Sequence, residues 1–254
     1  MSSPARVNVL GIGVSAVNLK EAVELLEQWI AAGDRRYVCV CNVHSVMACR
    51  RSEELRDIFN QASLVTPDGM PLVWLGRSRH ANVTRVYGPD LMLALLEAGV
   101  AGGRRHFFYG GHEGVTDRLA RSLKERFPGL LVAGALEPPV ASVDELCTPE
   151  AASLINAAGA DVVWVGVGSP KQERWMARMR PRLEAPVLIG VGAAFDFHAG
   201  TVRQAPPWMR RSGLEWLFRL ALEPRRLWRR YLVDNPWFVW EVLLQRLGLR
   251  HYEI

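Results

Sequence analysis

A chain of 254 residues with 49% apolar and 22% charged residues can build one large α/β core, and it holds no apolar run of the roughly 18 residues that cross a bilayer. The four cysteines, Cys39, Cys41, Cys49 and Cys147, make neither a CxxC pair nor a metal-ligand spacing, which points to isolated thiols in a reducing compartment. The net charge of +5 lies entirely after Gly200: residues 1–200 hold 21 basic and 21 acidic side chains, whereas residues 201–254 hold 10 arginines against 5 carboxylates.

The opening MSSPARVNVLG shows no leader pattern and enters a strand directly. Arg6–Val14 reads as the first strand with a glycine turn, and Leu19–Ala31 as an amphipathic helix. Gly11 and Gly13 hint at a dinucleotide fingerprint. The helix starts too late for one, however, and no acidic residue closes the second strand, Tyr37–Cys41, so a nicotinamide site is not expected. Asn42 and His44 follow that strand ahead of a helix. A helix over Glu53–Ala62 leads to a short strand, Leu64–Thr66, that ends in Pro67-Asp68-Gly69. Asp68 therefore stands on a strand-end turn, as a helix cap or as a functional carboxylate.

Arg85-Val86-Tyr87-Gly88-Pro89-Asp90 opens a helix over Leu91–Ala98. The strand Arg105–Tyr109 closes in Gly110-Gly111-His112-Glu113-Gly114, a strand-to-helix turn able to cradle phosphate but lacking the Gly-Lys-Ser/Thr of a P-loop. A helix over Val115–Phe127, a strand over Leu130–Gly134, an irregular proline-rich excursion over Glu137–Pro149 and a helix over Pro149–Ala158 come next.

Two Val-rich runs, Val162–Val167 and Pro186–Val191, read as buried parallel strands. The first ends in Gly168-Ser169-Pro170 and opens a helix carrying Lys171, Gln172 and Glu173; the second ends in a glycine-rich turn carrying Asp196 and His198. The sum is a doubly wound, mostly parallel, Rossmann-like α/β sheet of about seven strands. Ligands of such sheets sit at the carboxyl ends of the strands.

Residues 1–200 are assigned to this core and residues 201–254 to a helical appendage. The appendage holds five of the nine tryptophans, Trp208, Trp216, Trp228, Trp237 and Trp240. In PRRLWRRYL, Arg225, Arg226, Arg229 and Arg230 are expected on one helix face and Leu227, Trp228, Tyr231 and Leu232 on the other. That pattern suits a helix lying in a membrane interface with its cations on anionic lipid. Packing on the core or in an oligomer is the alternative. No reading module accompanies the arginines, so nucleic acid is not expected.

These motifs closely resemble the WecG/TagA/CpsF glycosyltransferases (glycosyltransferase family 26) from about Val7 to about Gly248. The marks are CNVHSV at 41–46, TPDGMPLVW at 66–74, RVYGPDL at 85–91, FFYGG at 107–111, VWVGVGSPKQE at 163–173, GVGAAFDFHAG at 190–200 and GLEWLFRLALEPRRLWRRYL at 213–232. The resemblance implies an inverting transferase. It would move a sugar from a UDP-linked donor (N-acetylmannosamine, its uronic acid or glucose) to a glycan on polyprenyl diphosphate, at the cytoplasmic face of the bacterial inner membrane. Capsule, exopolysaccharide or related surface polymers would be the product.

It also implies Asp68 as the base, with Arg85 and Gln172 in binding or catalysis. The arginine-rich tail would attach the enzyme to the membrane and close the site; Arg210, Arg211, Arg219, Arg225, Arg226, Arg229, Arg230 and Trp228 fall in it. Asn42, His44, Gly110, Gly111, Gly168, Lys171, Glu173 and Asp196 are the candidate substrate contacts; Lys171 and Glu173 fit a solvated helix face equally well. Relatives with a Thr-x-Asn element place threonine where this chain has Val40, which leans the donor toward the exopolysaccharide branch. No Asp-x-Asp occurs, so no metal and no cofactor are expected, with arginines and backbone N–H groups meeting the diphosphate instead. A non-catalytic nucleotide-sugar-binding scaffold or sensor is the alternative, and homo-oligomerisation stays open.

Overall fold

The computed structural model describes residues 4–254, with the side chain of Arg211 outside the described residues. Among the described residues there are eight strands: β1 (Arg6–Val9), β2 (Ile12–Ser15), β3 (Arg36–Cys41), β4 (Leu64–Pro67), β5 (Arg105–Gly110), β6 (Leu131–Leu136), β7 (Val162–Gly166) and β8 (Val187–Gly190). Six form one parallel sheet in the order β4-β3-β8-β7-β5-β6. The expected doubly wound α/β fold is therefore present.

The valine runs explain the centre of this sheet. Every residue of β8, and all of β7 but its final glycine, is buried, because helices cover both faces. One face packs the helices Val43–Arg51, Glu53–Gln61 and Lys171–Met179; the other packs Leu19–Ala32, Gly88–Ala101 and Val115–Arg126. Local chemistry fixes their ends. Asn18 and Glu21 form a reciprocal capping box at the start of Leu19–Ala32, and Gly33, at φ 69°, closes it.

The first expected strand is corrected. Arg6–Val14 is not a strand of the main sheet but an antiparallel hairpin, β1–β2, turning at Leu10 and Gly11. Both turn residues have positive φ, 52° and 87°, as a two-residue turn matched to strand twist requires. Ser15 fastens the hairpin to the edge strand, its hydroxyl accepting from the Val65 N–H at 3.0 Å.

Chain order makes the functional crevice. From β3 the chain moves outward to β4, then crosses to β5 and moves outward the other way to β6; β7 and β8 fill the gap. The loops after β3, β4, β5, β7 and β8 thus open on one side, at the point where the strand order reverses.

After Gly200 come short helices, Pro207–Arg211, Glu215–Leu222 and Pro224–Arg229, then a π-helical turn, Arg230–Asp234, and the helix Asn235–Arg246. The last helix joins the core through Phe238. The C-terminal segment then clasps the hairpin: Gln245 accepts from the Leu10 N–H at 3.1 Å, and Asn8 Nδ2 donates to the Tyr252 carbonyl at 2.6 Å. Among the described residues no helix is long and apolar enough to cross a membrane.

Candidate active site

At the strand ends lies a cavity of about 890 Å³ with tail helices forming one wall. Asp68 reaches it from the turn after β4, whose backbone is pinned by the Asp68 N–H donating to the Cys41 carbonyl at 2.8 Å. One carboxylate oxygen accepts from Asn42 Nδ2 at 3.3 Å and the other from Arg85 Nη2 at 3.1 Å. Arg85 Nε also donates to the Asp68 carbonyl. Burial outweighs these partners and raises the Asp68 carboxyl above its ordinary range, and the nearby Glu215 carboxylate pushes the same way. A carboxylate held this way has free lone pairs and a raised proton affinity, two properties a general base needs.

Arg85 is shared. The Nη2 that meets Asp68 also meets Glu215 Oε2 at 2.7 Å, and the Tyr87 hydroxyl donates to Glu215 Oε1 at 2.9 Å. Glu215 opens the tail helix Glu215–Leu222, so this ion pair joins the tail to the core. Arg85 Nη1 adds a bond to the Arg210 carbonyl, while the Arg210 guanidinium reaches Asp90 at 3.3 Å.

Asn42 is the cap of the helix Val43–Arg51, its Oδ1 accepting from the Ser45 N–H at 3.2 Å. Arg230 Nη2 from the tail donates to the same oxygen at 3.4 Å. Asn42 therefore contacts both Asp68 and a tail arginine. His44 lines the cavity beside Asp234, with Nδ1 3.8 Å from the Asp234 carboxylate. Its burial, reinforced by Arg230, pushes its pKa down to about 4, so it is neutral near pH 7.

Gln172 enters from the helix Lys171–Met179. The residue is buried; its Nε2 donates to Glu173 Oε1 at 3.1 Å, and its Oε1 has no partner among the described residues. The amide lies over β8 because Gly190 leaves room: a Cβ there would stand 2.9 Å from Gln172 Nε2 and 2.8 Å from Met176 Cε. Gln172 lines the cavity, and its buried carbonyl oxygen is an acceptor left without a donor.

Several expected contacts change role. Glu173 is not on a solvated face and does not line the cavity; it is fully buried, and desolvation lifts its carboxyl to about 7. Lys171 lines the cavity, yet its ammonium donates to the Ala141 carbonyl at 2.7 Å and anchors the proline-rich excursion. Gly111 and Gly168 line the cavity. Gly110 packs instead against β7, where a Cβ would meet the Gly166 carbonyl carbon at 2.5 Å. Asp196 lines the cavity and accepts from the Thr201 hydroxyl at 3.3 Å. One end of the expected phosphate cradle after β5 is taken by a side chain: Glu137 accepts from the Gly114 and Thr116 N–H groups at 2.9 and 2.7 Å, while Gly111 and His112 line the cavity. Those backbone bonds draw the Glu137 carboxyl below its ordinary value against the opposing effect of burial, the largest single influence.

In the tail, Arg219, Arg226 and Arg230 line the cavity, whereas Arg225 and Arg229 do not and are exposed. The expected split of PRRLWRRYL by residue type is thus corrected. Steps of 100° per residue place Arg226 and Arg230 next to Leu227 and Tyr231, which are buried, and place Trp228 and Leu232 with Arg225 and Arg229 outside. Tyr87 and Glu215 were not expected. Tyr87 sits in the RVYGPDL motif as a visible candidate, but nothing in the sequence pairs it with a glutamate so far along the chain. Among the described residues no group of three or more His, Cys, Asp or Glu side chains is arranged to hold a metal ion.

The chain is similar to three proteins each described as an N-acetylglucosaminyldiphosphoundecaprenol N-acetyl-beta-D-mannosaminyltransferase. The Bacillus subtilis (strain 168) protein is 29% identical over 85% of this chain and 82% of its own. The Bacillus spizizenii protein is 33% identical over 73% of this chain and 70% of its own. The Staphylococcus aureus (strain NCTC 8325 / PS 47) protein is 24% identical over 95% of this chain and 93% of its own. The pattern of the glycosyl transferase WecG/TagA/CpsF family matches residues 7–252, nearly the whole chain, and the chain belongs to that family.

Proposed function

We propose that the chain transfers a sugar, with inversion, from a UDP-linked donor of the N-acetylmannosamine, N-acetylmannosaminuronate or glucose type to a glycan on polyprenyl diphosphate. The relatives' names support the acceptor class and favour N-acetylmannosamine. The observation that carries the reading is the convergence of Asp68, which Arg85 holds by a hydrogen bond, and three tail arginines on one strand-end cavity.

In this reading the acceptor hydroxyl oxygen bonds to the anomeric carbon as the bond from that carbon to the diphosphate breaks. The hydroxyl proton passes to the Asp68 carboxylate. The electron pair leaves on the diphosphate, whose added charge Arg219, Arg226 and Arg230 offset. Arg85 fixes the Asp68 carboxylate, and Gln172, which lines the cavity, contacts the donor. The reaction runs without a metal, which the absence of Asp-x-Asp and the cationic wall both support.

The enzyme works at the membrane surface, on the cytoplasmic side where nucleotide sugars are available. Support comes from the exposed Trp208, Trp228, Trp237 and Trp240 of the tail beside its arginines. The test is product formation from a panel of UDP-sugars and a polyprenyl-diphosphate glycan, with and without EDTA. Transfer that persists in EDTA is expected. Loss of transfer in EDTA contradicts the metal-free mechanism, and binding of donor with no transfer for any pair contradicts the reading as an enzyme.

A further inference from the structure

Well apart from the strand ends, a second cavity of about 690 Å³ lies between the hairpin, the end of the helix Met70–Arg77 and the C-terminal segment. Arg6, Arg79, Arg246, Arg250 and His251 line it, and no Asp or Glu does. The cations come from four places in the chain: β1, the turn after Met70–Arg77, the last helix and the coil beyond it.

Their charges are poorly balanced. The buried Glu241 accepts from both Arg250 and Arg50, so one carboxylate serves two guanidiniums. Arg6 is half-buried and spends its donors on the neutral Asn60 and Ala62 carbonyls; burial lowers its pKa because no carboxylate compensates the charge. Arg246 is held toward the cavity by the Ser78 hydroxyl at 3.2 Å, and Arg79 is exposed. Among the described residues no carboxylate lies within salt-bridge distance of Arg6, Arg79 or Arg246. Ile254 also lines the cavity, and an α-carboxylate there would balance only one of these charges. Guanidiniums in this density match phosphate, which accepts two N–H bonds from each fork.

The neighbouring surface says which phosphate. On the last helix, Val242, Gln245 and Arg246 face the cavity. Val239, Trp240, Leu243 and Leu247, on the adjoining strip, are exposed. At 100° per residue Arg246 borders Val239 and Leu243 directly. An apolar strip flanked by cations is the arrangement of an interfacial helix, whose apolar side enters the acyl boundary while its cations meet headgroups. A free phosphate would have no use for the strip.

We propose that this cavity is a docking site for the phosphate of an anionic glycerophospholipid, holding the hairpin end of the protein to the bilayer independently of the catalytic cavity. The inference rests on the membrane reading of the tail. The test is co-sedimentation of the full chain with vesicles of phosphatidylcholine alone and of phosphatidylcholine mixed with phosphatidylglycerol. It compares wild type with Arg79→Gln/Arg246→Gln, two exposed positions that carry no core packing. Arg118→Gln/Arg121→Gln, on the helix Val115–Arg126 across the sheet, removes the same net charge as a control.

Each arginine at an anionic surface contributes roughly 5-fold in binding, so the cavity pair should lose about 25-fold on mixed vesicles. Binding to neutral vesicles, and transfer to a detergent-solubilised acceptor, should not change; the control pair should lose little. Equal losses for the two pairs, or no loss for the cavity pair, would overturn the site while leaving the membrane reading standing. Wild type that binds neither vesicle overturns both.

Discussion

Arg85 and Glu215 meet at 2.7 Å, and the same guanidinium nitrogen lies 3.1 Å from Asp68. A core arginine is therefore clamped between the proposed base and the first turn of a tail helix. Removing the tail carboxylate has two consequences that can be read separately. Glu215→Gln weakens the joint, a charged hydrogen bond of about 1.5–3 kcal/mol, so kcat/KM should fall on the order of 10- to 100-fold. It also removes a charge that raises the Asp68 pKa, so the acid limb of the pH–rate profile should move to lower pH. An unmoved limb would show that Glu215 does not act on Asp68.

Glu173 gives a stability prediction. Its folded carboxyl titrates at about 7, raised from 4.5 chiefly by burial. At Glu173 the folded protein therefore keeps a proton that the unfolded chain releases, and this residue's contribution to stability falls as pH rises from about 4.5 toward 7. The full effect is about 3 kcal/mol at 1.36 kcal/mol per unit. Glu173→Gln cannot titrate, so its stability relative to wild type should increase steadily across that range in urea unfolding. A constant difference would mean that Glu173 does not hold its proton on folding.

Arg226 and Arg230 are expected to act on the diphosphate. Arg226→Gln and Arg230→Gln should each lower kcat/KM roughly 10- to 100-fold, as the loss of one charge-assisted contact does. Arg225→Gln and Arg229→Gln, whose side chains stand outside the cavity, should stay within about 2-fold in detergent-solubilised assays. Equal losses in both pairs would place the tail in some other arrangement during turnover.

The parts legible in the sequence are those decided locally. The short, glycine-bounded Val-rich runs at β7 and β8 read as buried strands, and Pro67-Asp68-Gly69 as a strand-end turn, and both are found so. The hairpin was not legible: Leu10 takes positive φ in a turn that usually signals itself as Asn-Gly. For Glu173 the polar run Lys171-Gln172-Glu173-Arg174 fits a substrate contact or a solvated face equally; its burial comes from tertiary packing near Cys39, Cys41 and Cys49. The Glu215 joint spans 130 residues from Arg85 and has no local signal at all. Trp228 was misplaced for a simpler reason, a helix face sorted by residue type rather than by angle.

The most direct measurement is the pair of donor affinity and turnover for Asp68→Asn. The substitution keeps the side-chain shape but removes the carboxylate that receives the proton. The account predicts that the Kd for the UDP-sugar stays within a few-fold of wild type while kcat falls about 10²- to 10⁴-fold, the range a positioned general base contributes. Turnover near the wild-type rate in Asp68→Asn would contradict the assignment of Asp68 as the base.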